Sequence, residues 1–133
     1  MIVLAKRSPR IVFVDPRPGD YEKLVFDWQA HQLPQDRTSC QFLTSAREAL
    51  RLDVQDSMTL WIINTQLPDI DGFDLCEMLQ QRSDHSVVWI VSDGHSIQEE
   101  VKAYCTGAST YLCKPLESAW LKEWQEKTEE LGV

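Results

Sequence analysis

The sequence predicts one α/β domain, with a parallel sheet covered on both faces by helices. Three observations carry this reading. Short, continuous apolar runs at Ile11–Val14, Leu60–Ile63 and Val87–Val91 have the composition of strands buried on both sides. Segments with apolar residues at helical spacing lie between such runs. The two patterns alternate five times, and strict alternation implies parallel strands joined by right-handed crossovers. At 133 residues and 43% hydrophobic, the chain has the length of one domain. It can bury a core without disulfides or metal.

The elements follow in order. Ile11-Val12-Phe13-Val14 is the first strand and ends at Asp15-Pro16. Tyr21, Leu24, Val25 and Trp28 then recur at i, i+3, i+4 and i+7, one face of an amphipathic helix. Cys40 to Leu43 is a short second strand. Ser45 with Glu48 three residues on forms a capping box, opening a helix through Ala49, Leu50 and Leu52. Leu60 to Ile63 is the third strand, and Phe73, Cys76 and Leu79 mark the third helix. Val87 to Val91 is the fourth strand and ends at Ser92-Asp93-Gly94. A more polar helix from Ile97 to Tyr104 stops near Gly107. Thr110 to Cys113 is the fifth strand. Leu121, Trp124, Thr128 and Leu131 give the last helix, with Trp120 alongside. The expected boundaries are an N-terminal extension over 1–10 and one domain over 11–133. There are no repeats or low-complexity runs.

Composition narrows the function. There are 13 Lys+Arg against 21 Asp+Glu, a formal net charge of −8. That disfavours direct nucleic-acid binding, which depends on neutralising phosphates. The apolar start "MIVLAKRSPR" is too short for a signal sequence or a membrane span, so a cytoplasmic, membrane-free protein is expected. Cys40, Cys76, Cys105 and Cys113 form no CxxC motif and read as reduced, core-packing thiols. Cys113 stands out because it adjoins Lys114. The five tryptophans are spread along the chain and read as packing residues. His31, His85 and His95 are scattered, and only His95 falls near the strand ends.

In an open α/β sheet, the loops after the strands line one crevice. Here they bring together Asp15 and Pro16, Asn64, Ser92, and Lys114-Pro115. An acid, an amide, a hydroxyl and an amine therefore converge from four elements. Each alone reads as a turn or cap residue.

Together the motifs resemble the receiver domain of bacterial response regulators, over about residues 11 to 131. "IVFVDP" resembles the family's first strand and acidic turn. "WIINTQLPDIDGFDL" resembles the phosphoacceptor strand and its loop. "WIVS" resembles the strand ending in Thr or Ser. "GASTYLCKPL" resembles the segment carrying the switch aromatic and the Lys-Pro closure. The resemblance implies a flavodoxin-like (βα)5 sandwich with strand order 2-1-3-4-5. It also implies two-component signalling rather than an enzyme. In the family, an Asp on the third strand accepts phosphate, and paired acids after the first strand help bind Mg²⁺. A Ser/Thr and a Lys grip the phosphoryl group, an aromatic follows the Ser/Thr, and the Lys-Pro bond is usually cis.

Carried over by position, the chain keeps Asp15, Ser92, Tyr111 and Lys114. It departs at two places: Asn64 holds the phosphoacceptor position and Pro16 that of the second acid. An amide is not the carboxylate nucleophile that acyl phosphate formation needs. Asp15, with the Gln66 carbonyl, offers at most a weak Mg²⁺ site, about millimolar or poorer. No catalytic residue and no cofactor are expected. Asp69 and Asp71 are expected to cap the third helix, and Thr65 to face away from Asn64. Asn64 is expected to hydrogen-bond Ser92, Lys114 or Asp15. The resulting expectation is a pseudo-receiver acting by protein–protein contact. Its partner would be a second copy or another protein at the face of helix 4, strand 5 and helix 5. A histidine kinase or an attached output domain is a further candidate partner. The alternative is a flavodoxin-like small-molecule binding protein or enzyme. Against it, no strand leads into a Gly-rich phosphate loop.

Overall fold

The computed structural model describes residues 9–33, 36, 38–52, 58–82 and 86–130, with backbone only at 129 and 130. The expected helix residue Leu131, His85 and the first eight residues of the expected extension lie outside these.

The strands are β1 (Arg10–Val14), β2 (Ser39–Leu43), β3 (Thr59–Asn64), β4 (Ser86–Ser92) and β5 (Thr110–Cys113). They pair in parallel in the order β2-β1-β3-β4-β5. The helices are α1 (Glu22–Ala30), α2 (Ala46–Arg51), α3 (Gly72–Arg82), α4 (Ile97–Cys105) and α5 (Ser118–Glu130). This is the flavodoxin-like order that the sequence resemblance implied. β1 and β2 each begin one residue earlier than the apolar runs. Backbone bonds from Arg10 N to Met58 O (2.9 Å) and from Ser39 N to Pro9 O (3.2 Å) start the ladder one residue before the first apolar residue.

Strand side chains alternate between faces, and two cores result. Val12, Val14, Trp61, Ile63, Val88 and Ile90 pack under α2, α3 and α4. Ile11, Phe13, Leu60, Ile62, Trp89 and Val91 pack under α1 and α5. Every residue of β3 is buried, so its continuous apolar run serves both cores at once. Burying each such aliphatic side chain is worth about 1.5–3 kcal/mol. That makes β3, and the Asn64 at its end, the most firmly placed part of the sheet. Trp28, Trp61, Trp89 and Trp124 are buried, as packing residues should be.

The helix ends follow local chemistry. Tyr21 closes a 3-10 turn (Pro18–Tyr21) that leads into α1, so the helix proper starts after the first residue of the expected stripe. Ser45 Oγ accepts from Glu48 N at 3.2 Å, the expected cap. The return arm is displaced by one residue: Glu48 Oε1 accepts from Thr44 N at 3.1 Å. α4 is closed just past its end by Gly107, whose φ of 99° suits a residue without a side chain. Ala108 N and Gly107 N return to Ala103 O and Tyr104 O in a Schellman closure.

One capping expectation is corrected. Asp71 caps α3, its Oδ1 accepting from Asp74 N at 2.9 Å. Asp69 instead caps α2, accepting from Ala46 N at 3.0 Å and Arg47 N at 2.8 Å. The β3–α3 loop bends far enough for its first acid to meet a different helix start. Some desolvation pushes the exposed Asp69 carboxyl up, but the backbone N–H bonds outweigh it and hold the group below its ordinary range. The thiols also divide. Cys76 is buried and Cys40 and Cys113 are half-buried, but Cys105 is exposed on α4 and is not a core residue. Burial pushes the Cys40 thiol up to about 12.

Candidate functional site: the crevice at the strand ends

Asn64 reaches the crevice because α3 comes down directly on the end of β3. Gly72 N donates to Thr65 O at 3.0 Å. A Cβ at Gly72 would lie 2.1 Å from Asn64 O and 2.9 Å from Asn64 C. Only glycine permits that approach, so Gly72 fixes the height at which the amide stands.

The amide is bonded at both ends. Its Nδ2 donates to Asp15 Oδ2 at 3.0 Å and more weakly to Asp93 Oδ1 at 3.4 Å. Its Oδ1 accepts from Gln66 N at 2.8 Å. Of the three expected partners, the structure brings Asp15 to Asn64. Ser92 and Lys114 bond elsewhere, and Asp93 was not anticipated.

Asp15 is the hub and is fully buried. Its Oδ1 accepts from Arg17 N at 2.8 Å. Its Oδ2 accepts from Tyr21 Oη at 2.7 Å and Asn64 Nδ2, and pairs with Lys114 Nζ at 2.8 Å. An ionised carboxylate offers about four acceptor sites, and four donors face this one. Burial, and then the charge of Asp15, push the Tyr21 phenol far above its ordinary range, so it remains a donor.

Lys114 enters from the end of β5, beside a cis Lys114-Pro115 bond. Its ammonium lies 2.8 Å from Asp15, 2.7 Å from Asp20 and 3.3 Å from Asp93. Burial lowers its pKa, but the bonds to Asp15 and Asp20 outweigh that and raise it overall. Arg17 closes the mouth, pairing with Asp93 and lying 3.6 Å from Asp20. Asp93 is held below the ordinary carboxyl range, because hydrogen bonds from Lys114 and Arg17 outweigh its desolvation. Pro16 places no side-chain charge in this network.

Ser92 belongs to a second network. Its Oγ lies 2.6 Å from Gly94 O and 2.9 Å from Glu99 Oε1. Tyr111 is buried, and its Oη donates to the same Glu99 oxygen at 3.1 Å while accepting from Ser96 N at 3.3 Å. Burial raises the Tyr111 pKa. His95 stands edge-on to Tyr111, 6.0 Å between ring centres.

Sequence reasoning missed Arg17, Asp20, Tyr21, Asp93 and Glu99 as site residues. The signal for three of them was the unusually polar first turn, "DPRPGDY". Asp93 follows Ser92 directly. Glu99 lies in the first turn of α4, where an acid reads simply as a helix-dipole residue.

The family model for the response regulator receiver domain matches residues 20–124. The chain belongs to the response regulator receiver family. The receiver is 29% identical over 110 residues to response regulator MprA of Mycolicibacterium vanbaalenii, covering 80% of this chain and 44% of that protein. It is 28% identical over 114 residues to response regulator protein PilR of Pseudomonas aeruginosa, covering 86% and 24%. It therefore spans less than half the length of these relatives. Among solved structures, a CheY-like receiver domain protein of Methanospirillum hungatei superposes with a TM-score of 0.70 at 21% identity, covering 92% of this chain and 95% of that one. That likeness is one of fold. Receivers are signalling domains of two-component systems, and generally not enzymes. Among the described residues, no helix is long and apolar enough to cross a membrane.

Proposed function

We propose that this receiver signals by protein–protein contact without aspartyl phosphorylation. The observation that carries the reading is Asn64: the end of β3 presents an amide, bonded through both its nitrogen and its oxygen, in place of a carboxylate nucleophile. Asp15, Ser92, Lys114 and Tyr111 then form the remnant of a phosphoacceptor pocket. Pro16 removes a metal-binding acid, and the domain works without a cofactor.

The contact face is that of α4, β5 and α5. On α4, Ile97, Val101 and Tyr104 recur at i, i+4 and i+7 and are more than half or half exposed, at 71%, 58% and 50%. A helix normally turns such a stripe inward. Its outward position supports a protein partner or a second copy of the domain. A histidine kinase or an output domain on the same polypeptide would fit the family. The acidic charge argues against direct contact with nucleic acid.

The test is incubation with a small phosphodonor and Mg²⁺, followed by intact mass measurement. The expected spectrum is unchanged. A base-labile adduct of one phosphoryl group would overturn the proposal. Asn64→Asp is expected to gain little phosphorylation, since Pro16 still leaves any metal short of a carboxylate. Rapid Mg²⁺-dependent labelling of that variant would show that the Pro16 argument fails.

A further inference from the structure

The receiver fold implies a divalent ion in this crevice, and the residues present do not fit one. Such ions take oxygen ligands with free lone pairs. Asp15 is fully buried, and its carboxylate already faces donors from Arg17, Tyr21, Asn64 and Lys114. The other two acids that turn toward the crevice, Asp20 and Asp93, both contact the Lys114 ammonium, and Arg17 pairs with each of them. No group of three or more His, Cys, Asp or Glu side chains placed to hold a metal ion occurs among the described residues.

We propose that the Lys114 ammonium is the resident cation of this crevice, bound by Asp15, Asp20 and Asp93 in the place a divalent ion would otherwise take. The inference rests on the phosphorylation-independent reading and gives it a physical basis. Three carboxylates gather in one crevice, and two cations of the same chain neutralise most of their charge. Lys114 is the better placed, with its side chain only 13% exposed and three carboxylate contacts of 3.3 Å or less. A divalent ion would have to displace it and break its contact with Asp15. The same geometry implies a latent site: removing the ammonium leaves three converging carboxylates with Arg17 as their only partner cation in the crevice among the described residues.

The experiment uses Mn²⁺ as probe, followed by water-proton relaxation at neutral pH. The native protein is expected to show no saturable binding up to about 1 mM, the weak end of protein divalent sites. Lys114→Met, checked for folding by circular dichroism, is expected to bind at least tenfold more tightly. Adding Asp15→Asn is expected to abolish that gain. Saturable binding to the native protein below that concentration overturns the proposal, and so does a folded Lys114→Met protein with no gain. A second measurement needs no variant. Acetylation of the native protein, mapped by mass spectrometry, is expected to be slow at Lys114 and unchanged by Mg²⁺. A threefold acceleration at Lys114 on adding Mg²⁺ would mean displacement, and would overturn the proposal. Phosphoryl labelling without metal binding would sink the phosphorylation-independent reading alone. Metal binding without labelling would sink this inference alone.

Discussion

Asn64→Asp changes one atom type, and its cost can be worked from the site. The native Nδ2 donates to the buried Asp15 Oδ2 at 3.0 Å. A hydrogen bond to a charged group is worth about 1.5–3 kcal/mol. The variant loses that bond and sets two carboxylate oxygens at about the same separation. At an effective dielectric of about 20 their repulsion is about 5.5 kcal/mol, an upper bound. Lys114, 2.8 Å from Asp15, offsets part of it. The expected net loss at neutral pH is about 2–4 kcal/mol. Like-charge proximity raises the introduced carboxyl's pKa in the folded state, so the folded variant binds a proton more readily than the unfolded chain. Stability relative to native therefore recovers as pH falls and is lost again as pH rises through that carboxyl's folded pKa. Urea unfolding, followed by tryptophan fluorescence, reads this directly. The midpoint should fall by about 1–2 M at neutral pH, and by less near pH 5. A variant as stable as native at neutral pH, or one whose deficit grows on acidification, would refute the reasoning.

Gly72→Ala should destabilise the domain by about 2 kcal/mol or more, although alanine is ordinarily the better helix residue. The added Cβ meets the backbone of Asn64, which cannot swing aside. Gly19→Ala, with nothing within 4 Å, should stay within about 0.5 kcal/mol. Equal thermal midpoints for the two variants would exclude the close-approach argument. Stability should also fall on both sides of a neutral plateau. The pKa values of Lys114 and Tyr21 are raised on folding, so their contribution is complete below their unfolded values, near 10, and fades as pH rises above them. Asp93 is lowered, so its contribution is present above about pH 4 and fades below that. Thermal midpoints across the pH range check this, and Lys114→Met should flatten the alkaline limb. An unchanged native midpoint between about pH 9 and 11 would contradict it.

The sheet was legible because its strands are short, apolar and separated by helices of clear period. β3 shows why: a run that serves two cores must be apolar at every position, and that pattern survives in one dimension. The strand-end positions of Asp15, Asn64, Ser92 and Lys114 were legible for the same reason, since a strand's end is set by where its apolar run stops. What those side chains touch was not. Asp20 and Asp93 look like loop solvation in sequence, and only the convergence of three loops turns them toward Lys114. Asp69 is the sharper case. Its spacing before α3 suits a cap of that helix, yet the fold of the loop hands it to α2. Glu99 carries no period or motif that marks it as the partner of Ser92 and Tyr111.

The two networks at the strand ends are distinct. Asp15, Asn64, Lys114, Asp20, Asp93, Arg17 and Tyr21 form one. Ser92, Glu99, Ser96 and Tyr111 form the other. Among the described residues, no hydrogen bond joins a side chain of the first to a side chain of the second. They meet through the backbone, where Lys114 N donates to Ser92 O at 3.0 Å and Asp93 follows Ser92 in the chain. The Ser92 hydroxyl is turned toward Glu99 on α4 rather than toward Asn64. The same Glu99 oxygen takes the Tyr111 proton donor. The buried position of Tyr111 is thus tied to the first turn of α4, the helix that carries Ile97, Val101 and Tyr104 outward. A side-chain change at Asn64 acts on the stability of the first network, whereas Glu99 links the second directly to the exposed helix. Among the described residues, the hydrogen bonding that joins the crevice network to the one under α4 therefore runs through the main chain.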